Sequence, residues 1–323
     1  MENDKKGLGD MKYIQELREG ERISQIYLCK NKITATTKAG RSYYSLMLQD
    51  KTGTIDGKVW ELSGAIDHFE TMDFIQVDGE VTMFNNAMQI NIRRIRRAKE
   101  GEYEPKDYFP VSDKNLDALY KELTGYIALI KQPHLKKLAE SYFVEDRAFV
   151  KAFKEHSAAK SVHHGFIGGL LEHTTAVTRL CKFYCDQYPI INRDLLLTAA
   201  LFHDIGKMRE LSAFPENDYT DEGQLLGHIL IGSDMIAERA RQIPGFPPKL
   251  LSELRHCILA HHGEYEYGSP KKPAIIEAAA LYFADNTDAK LQIMKELLEN
   301  AAPGEWLGFN KLLDSNVKRT VME

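Results

Sequence analysis

The chain has 323 residues, 43% hydrophobic and 28% charged, with a formal net charge of −5. That length and mixture predict a globular protein of two domains, and no run approaches the ~18 apolar residues that a membrane helix requires. The acidic balance excludes nucleic-acid binding through a global positive field, so any such contact must use a local basic patch.

Met1 to Asp10 is charged and glycine-bearing where a secretory leader would be apolar, which predicts a cytoplasmic protein. From Glu21 to Arg97 short β-type runs alternate with turn signals: Ile23 to Cys29, Tyr43 to Leu48, Ile55 to Trp60, Phe74 to Val81 and Met88 to Ile95. Asp50-Lys51-Thr52-Gly53 and Asn85-Asn86 supply hairpin chemistry between neighbouring runs, and Ser63 to Glu70 has helical character. Five strands with one short helix between the third and fourth are the plan of an OB-fold barrel, a reader of single-stranded nucleic acid. Tyr27, Tyr43, Tyr44, Trp60 and Phe84 are interleaved with Lys30, Lys32, Lys38, Arg41 and Lys58. Exposed rings of this kind stack on bases while cations follow the backbone, although some must fill the barrel. The candidate nucleic-acid contacts are Tyr44, Trp60, Lys58, Arg93 and Arg94. The last two open a basic run, Arg93 to Lys99, that reads equally as a solvated strand end.

Pro105 and Pro110 interrupt a Glu-, Lys- and Tyr-rich stretch, which places a boundary near residue 100 and a linker with helical lead-in over 101–158. Beyond it the period becomes helical: Leu116, Leu119, Tyr120, Leu123, Ile127 and Ile130 recur with Ser112 as candidate N-cap. Further helices are expected over Leu135 to Tyr142, Ala148 to His156, Leu170 to Tyr188, Arg193 to Phe202, His228 to Ile243, Lys249 to His261 and Ala274 to Thr287. The second domain is therefore all-α, over 159–300, and the tail 301–323 is weakly helical at best. Cys29, Cys181, Cys185 and Cys257 form no CxxC pair and read as reduced core thiols.

Eight of the eleven histidines lie between His163 and His262, among acidic residues on successive helices. His68, His134, His156 and His256 carry no pattern and are read as ordinary core or surface residues. His203-Asp204 ends an apolar helix and is followed by Gly206. His261-His262 repeats that arrangement before Gly263. At a helix end an imidazole and a neighbouring carboxylate can converge on one cation, and a carboxylate has two oxygens with which to bridge a pair. His173, His228 and Asp285 would complete the shells from other helices. Asp288, one turn on, is the competing aspartate. Lys207 reads as a phosphate contact, a brace for Asp204 or a solvated helix-end charge. His163 and His164 sit on a Gly-rich approach, with His164 the preferred substrate contact or both simply part of a tight loop.

Leu171-Glu172-His173-Thr174, Phe202-His203-Asp204-Ile205-Gly206-Lys207, Gly227-His228, Ala260-His261-His262-Gly263 and Ala284-Asp285 stand in an order that resembles the HD-domain metal-dependent phosphohydrolases. The resemblance implies a first metal on His173, His203, Asp204 and Asp285, and a second that shares Asp204 and takes His228, His261 and His262. It favours manganese, with Fe, Co, Ni or Zn suited to the same donors. Two such cations activate water and neutralise phosphate oxygens during in-line attack, with no side-chain nucleophile. The run Tyr44 to Trp60 resembles nucleic-acid-binding OB-folds. An OB-fold ahead of an HD domain with Gly168-Gly169-Leu170-Leu171-Glu172-His173 resembles the YhaM-type 3′-to-5′ exoribonucleases over nearly the whole chain. That likeness implies hydrolysis of single-stranded RNA, and also DNA, from the 3′ end to nucleoside monophosphates, with Asp204, Lys207 and His164 nearest the chemistry. The competing expectations are a phosphohydrolase of small or cyclic nucleotides with a regulatory barrel, and a non-catalytic DNA- or RNA-binding protein. Whether the apolar helices also drive assembly into a homo-oligomer stays open.

Overall fold

The computed structural model of the chain describes residues 11–160 and 165–321 and divides into two compact units between Pro110 and Val111. In the first unit, β1 (Arg22–Thr36), β2 (Ser42–Asp50), β3 (Gly53–Val59), β4 (Phe74–Phe84) and β5 (Ala87–Arg97) close a barrel in the order β1-β2-β3-β5-β4. β4 returns antiparallel to β1, and a short parallel contact joins β3 to β5. This is the OB-fold. The turns follow their side chains: Asp50 Oδ1 accepts from the Thr52 amide at 2.7 Å and the Gly53 amide at 3.2 Å. Asn85 and Asn86 both take positive φ, 49° and 60°, the left-handed conformation that asparagine tolerates in a tight hairpin.

Ser63 to Glu70 does not form the expected helix. Its backbone pairs with β5 instead: the Asp67 amide donates to Ile95 O at 3.0 Å and the Ile95 amide to Ala65 O at 3.1 Å. Phe69 thereby enters the barrel core with 0% exposure beside Tyr27, Leu46, Ile75 and Ile95. Burying that ring outweighs a weak local helix preference. The stretch after β5 also belongs to this unit. Phe74 stacks on Tyr103 at 3.9 Å between ring centroids and meets Tyr108 and Phe109 edge-on, while the Tyr108 hydroxyl donates to Ile26 O.

The second unit is helical: α1 (Leu116–Leu129), α2 (Pro133–Phe143), α3 (Arg147–Glu155), α4 (Gly169–Gln187), α5 (Arg193–Phe202), α6 (Lys207–Glu210), α7 (Asp221–Ala240), α8 (Pro248–Leu259) and α9 (Ile276–Leu298). Asn115, not Ser112, caps α1 by accepting from the Ala118 amide at 3.0 Å; the Ser112 hydroxyl is committed to buried Glu172. From Leu195 to Phe202 every residue of α5 is buried, so this helix runs through the core with α1, α2, α4, α8 and α9 around it. After α9 the chain forms a two-stranded antiparallel ribbon, β6 (Trp306–Asn310) with β7 (Ser315–Lys318), where only weak helix was expected. Gly308 at φ 81° and a register shift between Trp306 and Gly308 accompany that pairing. Among the described residues no helix is long and apolar enough to cross a membrane.

Candidate metal centre

Because α5 is buried on all sides, whatever ends it lies inside the unit. His203 stands at its C-cap with 0% exposure, and Asp204 follows in the next turn with 3%. His173 comes from the second turn of α4, His261 and His262 from the segment that follows α8, and Asp285 from the middle of α9. His228 lies on α7 just after Gly227, whose φ of 71° and ψ of 156° break the helix and restart it at the histidine.

Asp204 separates the imidazoles into two groups. Its Oδ2 lies 3.4 Å from His173 Nε2 and 3.5 Å from His203 Nε2, whereas its Oδ1 lies 3.5 Å from His228 Nε2 and 3.8 Å from His261 Nε2. Asp285 Oδ1 joins the first group, 3.1 Å from His173 Nε2, and His262 joins the second. Each ring turns its other nitrogen toward an oxygen: His173 Nδ1 to Asp288 Oδ2 at 2.7 Å, His203 to Ala200 O at 2.8 Å, His228 to Glu210 Oε1 at 3.0 Å, His261 to Ile258 O at 2.7 Å and His262 to Tyr267 O at 2.8 Å. Carbonyls and carboxylates only accept, so Nδ1 carries a proton in every ring and Nε2 is the nitrogen left to face a cation. The consequence is visible. His228 Nε2 and His261 Nε2 are buried with no hydrogen-bond partner, and the Nε2 atoms of His173 and His203 face each other at 3.1 Å. Buried imidazole nitrogens crowded together are costly unless a proton or a metal cation lies among them. With a bidentate carboxylate between them, these residues have the donor chemistry of a divalent-metal site.

The charges agree. Burial opposes a charged His173, yet Asp285, Asp288 and Asp204 outweigh it and raise the ring to about 10. Burial keeps His203, His261 and His262 below the ordinary histidine range, with neighbouring imidazoles adding to the effect at His261 and His262. Asp204 is held well below the usual carboxylate range against its burial, by Lys207 and the surrounding rings, and Asp285 is lowered chiefly by His173. Lys207 Nζ sits 2.7 Å from Asp204 Oδ2, and that carboxylate more than offsets the burial that would discharge the ammonium. A cavity of about 160 Å³ opens on the cluster, lined by Ala158, Ala159, His173, Asp204, Lys207, His262, Asp285 and Ala289.

All seven candidate metal ligands are thus brought together, with Lys207 beside them. Asp285 and Asp288 are both used, on opposite nitrogens of His173. His164 lies outside the described residues. Sequence reasoning missed Glu210; its signal was its place on the same short turn as Lys207. In the barrel, Trp60 and Lys58 face outward, with the Trp60 ring stacked on Tyr43 at 4.7 Å, Trp60 Nε1 donating to Asn91 Oδ1 and Lys58 Nζ to Ser45 Oγ. Tyr44 is half-buried and meets Phe69 edge-on. Its two-residue phase with buried Leu46 and Leu48 sends it toward the core, whereas Tyr43 shares the outward phase of Met47. Arg93 pairs with Glu80, Arg96 with Glu102 and Arg97 with Asp73, so within this basic run Arg94 has no ion pair among the described residues.

The model of the HD domain matches residues 170–290. The 3′-5′ exoribonuclease YhaM of Geobacillus sp. (strain WCH70) is 34% identical over 289 residues, 89% of this chain and 88% of that protein. The enzyme of the same name from Bacillus subtilis (strain 168) is 33% identical over 89% of this chain and 91% of its own length. The second OB-fold domain of replication protein A from Methanococcus maripaludis overlays 28% of this chain and 96% of its own, at 21% identity and a TM-score of 0.24; the OB-fold assignment rests on strand order and not on that overlay. Two relatives of known name align along nearly their full length, and the matched HD segment contains all seven clustered ligands, so the chain belongs to the YhaM family of 3′-5′ exoribonucleases.

Proposed function

We propose that this protein is a metal-dependent 3′-to-5′ exonuclease of single-stranded RNA in the cytoplasm, accepting single-stranded DNA as well, and that it releases nucleoside monophosphates. Two divalent ions would be held, one by His173, His203, Asp204 and Asp285, the other by His228, His261, His262 and the second oxygen of Asp204. Manganese is the ion to test first because the family resemblance favours it, although imidazole and carboxylate donors suit Fe, Co, Ni and Zn equally. When bound, such ions supply positive charge to phosphate oxygens and make water a competent nucleophile near neutral pH. The observation that carries this reading is Asp204, whose two oxygens each face a separate set of imidazole Nε2 atoms.

The chain's own groups supply the rest. Lys207 keeps Asp204 ionised and presents an ammonium to the cavity, where a phosphate oxygen would gain from it. His164 remains the proposed contact for the scissile phosphate. In the barrel, Trp60, Lys58, Arg93 and Arg94 are the proposed contacts to the strand, with Tyr43 in place of Tyr44 as the second stacking ring.

The test is digestion of labelled single-stranded RNA with a free or a blocked 3′ end, with manganese or with EDTA. Monophosphates should appear from 3′-free and 5′-blocked strands with manganese, and neither from 3′-blocked strands nor in EDTA. Equal turnover of a mononucleotide and a long strand would replace this reading with a small-nucleotide phosphohydrolase. Trp60→Ala should weaken RNA binding by about 1–3 kcal/mol, measured by fluorescence anisotropy in an inactive background. An unchanged Kd would remove Trp60 from the binding surface.

A further inference from the structure

Glu210 ends α6, three residues beyond Lys207, and is nearly buried. One of its oxygens, Oε1, accepts from the His228 backbone amide at 2.9 Å and from His228 Nδ1 at 3.0 Å. Both donors of a single residue reach one oxygen because Gly227 breaks α7 immediately before the histidine, at a positive φ that side chains other than glycine rarely adopt. The partner differs in kind from those of its neighbours. His261 and His262 lean on the peptide carbonyls of Ile258 and Tyr267; in the other group His203 leans on the carbonyl of Ala200 and His173 on the carboxylate of Asp288. Each group of imidazoles therefore contains one ring backed by a carboxylate. A carboxylate behind an imidazole fixes its proton on the near nitrogen and makes the far nitrogen a stronger donor to a metal.

We infer that Glu210 is a positioning residue for His228, and that it controls the ion position formed by His228, His261 and His262 while Asp288 controls the one at His173. This rests on the two-ion reading above. A simpler role, capping the restarted helix through the His228 amide, needs only an acceptor oxygen. Glu210→Gln keeps that oxygen and the side-chain volume but removes the charge, so it separates the two roles. Glu210→Ala would remove both.

The experiment uses full-length, metal-stripped protein titrated with Co²⁺, followed by its visible absorption, with bound manganese counted by elemental analysis. Wild type should take up two ions. Glu210→Gln should weaken one of the two Co²⁺ steps by about 10–100-fold and leave the other unchanged, with the melting temperature of the metal-free protein also unchanged. Asp288→Asn should weaken the opposite step. His228→Ala should remove the step that Glu210→Gln weakens, and the double variant Glu210→Gln, His228→Ala should bind no worse than His228→Ala alone, because the carboxylate acts through that ring. Two ions at wild-type affinity in Glu210→Gln, or equal weakening of both steps, would overturn the inference and leave the two-ion reading standing. A wild type that takes only one ion would overturn both.

Discussion

Asp204→Ala is expected to lower kcat/KM for single-stranded RNA by about three orders of magnitude or more, and to leave the affinity of the barrel for RNA within twofold. The size follows from what the carboxylate joins. Its two oxygens face both groups of imidazoles, so its loss dismantles both proposed ion positions together. Metal charge contributes several kcal/mol to a phosphoryl transition state, and three orders of magnitude correspond to ~4 kcal/mol. The alanine also strands Lys207, whose half-buried ammonium has its 2.7 Å partner in Asp204. Asp204→Asn keeps the side-chain volume while it removes the charge and turns one of the two acceptor oxygens into an NH2 donor, so it controls for the cavity left by the alanine and not for the loss of the carboxylate. Steady-state digestion and anisotropy on both variants give the answer. Activity within tenfold of wild type in Asp204→Asn would rule out a shared aspartate.

The largest expected effect on stability belongs to a residue with no chemistry of its own. Gly206 takes ordinary helical backbone angles, so its requirement is for space and not for conformation. A methyl group there would lie 2.0 Å from the His228 carbonyl oxygen and 2.7 Å from the Gly232 amide nitrogen, both backbone atoms of α7. No rotamer change relieves such a contact. Helices α6 and α7 must separate, and His228 moves with α7. Gly206→Ala should therefore cost about 3 kcal/mol or more, which for a unit of this size is roughly 6–12 °C in Tm. It should also abolish the Co²⁺ step assigned to His228. Circular dichroism at 222 nm, dominated by the helical unit, measures the first effect. A variant melting within about 1 °C of wild type would show that the crossing of α6 and α7 is looser than this geometry requires.

The barrel was largely legible because its information is local. Alternation placed five strands, and the Asp50 to Gly53 and Asn85-Asn86 turns carried their own conformations. Legibility failed where a distant partner decided. Ser63 to Glu70 has helical composition, but the β5 edge takes its amides and the barrel takes Phe69. The tail pairs with itself as a ribbon, on a pattern too short and irregular for periodicity to reveal. Tyr44 and Tyr43 were distinguishable in principle from the phase of Leu46 and Leu48, whereas residue type cannot separate two tyrosines.

The seven clustered side chains were named from the order of their motifs and from the HD-domain resemblance that those motifs carry, since chemistry that needs imidazoles and carboxylates at helix ends leaves those residue types in the primary structure. Roles within the cluster were a different matter. Asp285 and Asp288 are one turn apart on α9 and equivalent on paper, yet one meets the Nε2 side of His173 and the other its Nδ1. Glu210 had no motif, because it acts through a backbone break at Gly227 and an imidazole 18 residues away. Residue identity and helical period determine which groups are available and which faces are buried. Which nitrogen of a ring faces which oxygen depends on how helices cross, and that is decided only when the whole core packs at once.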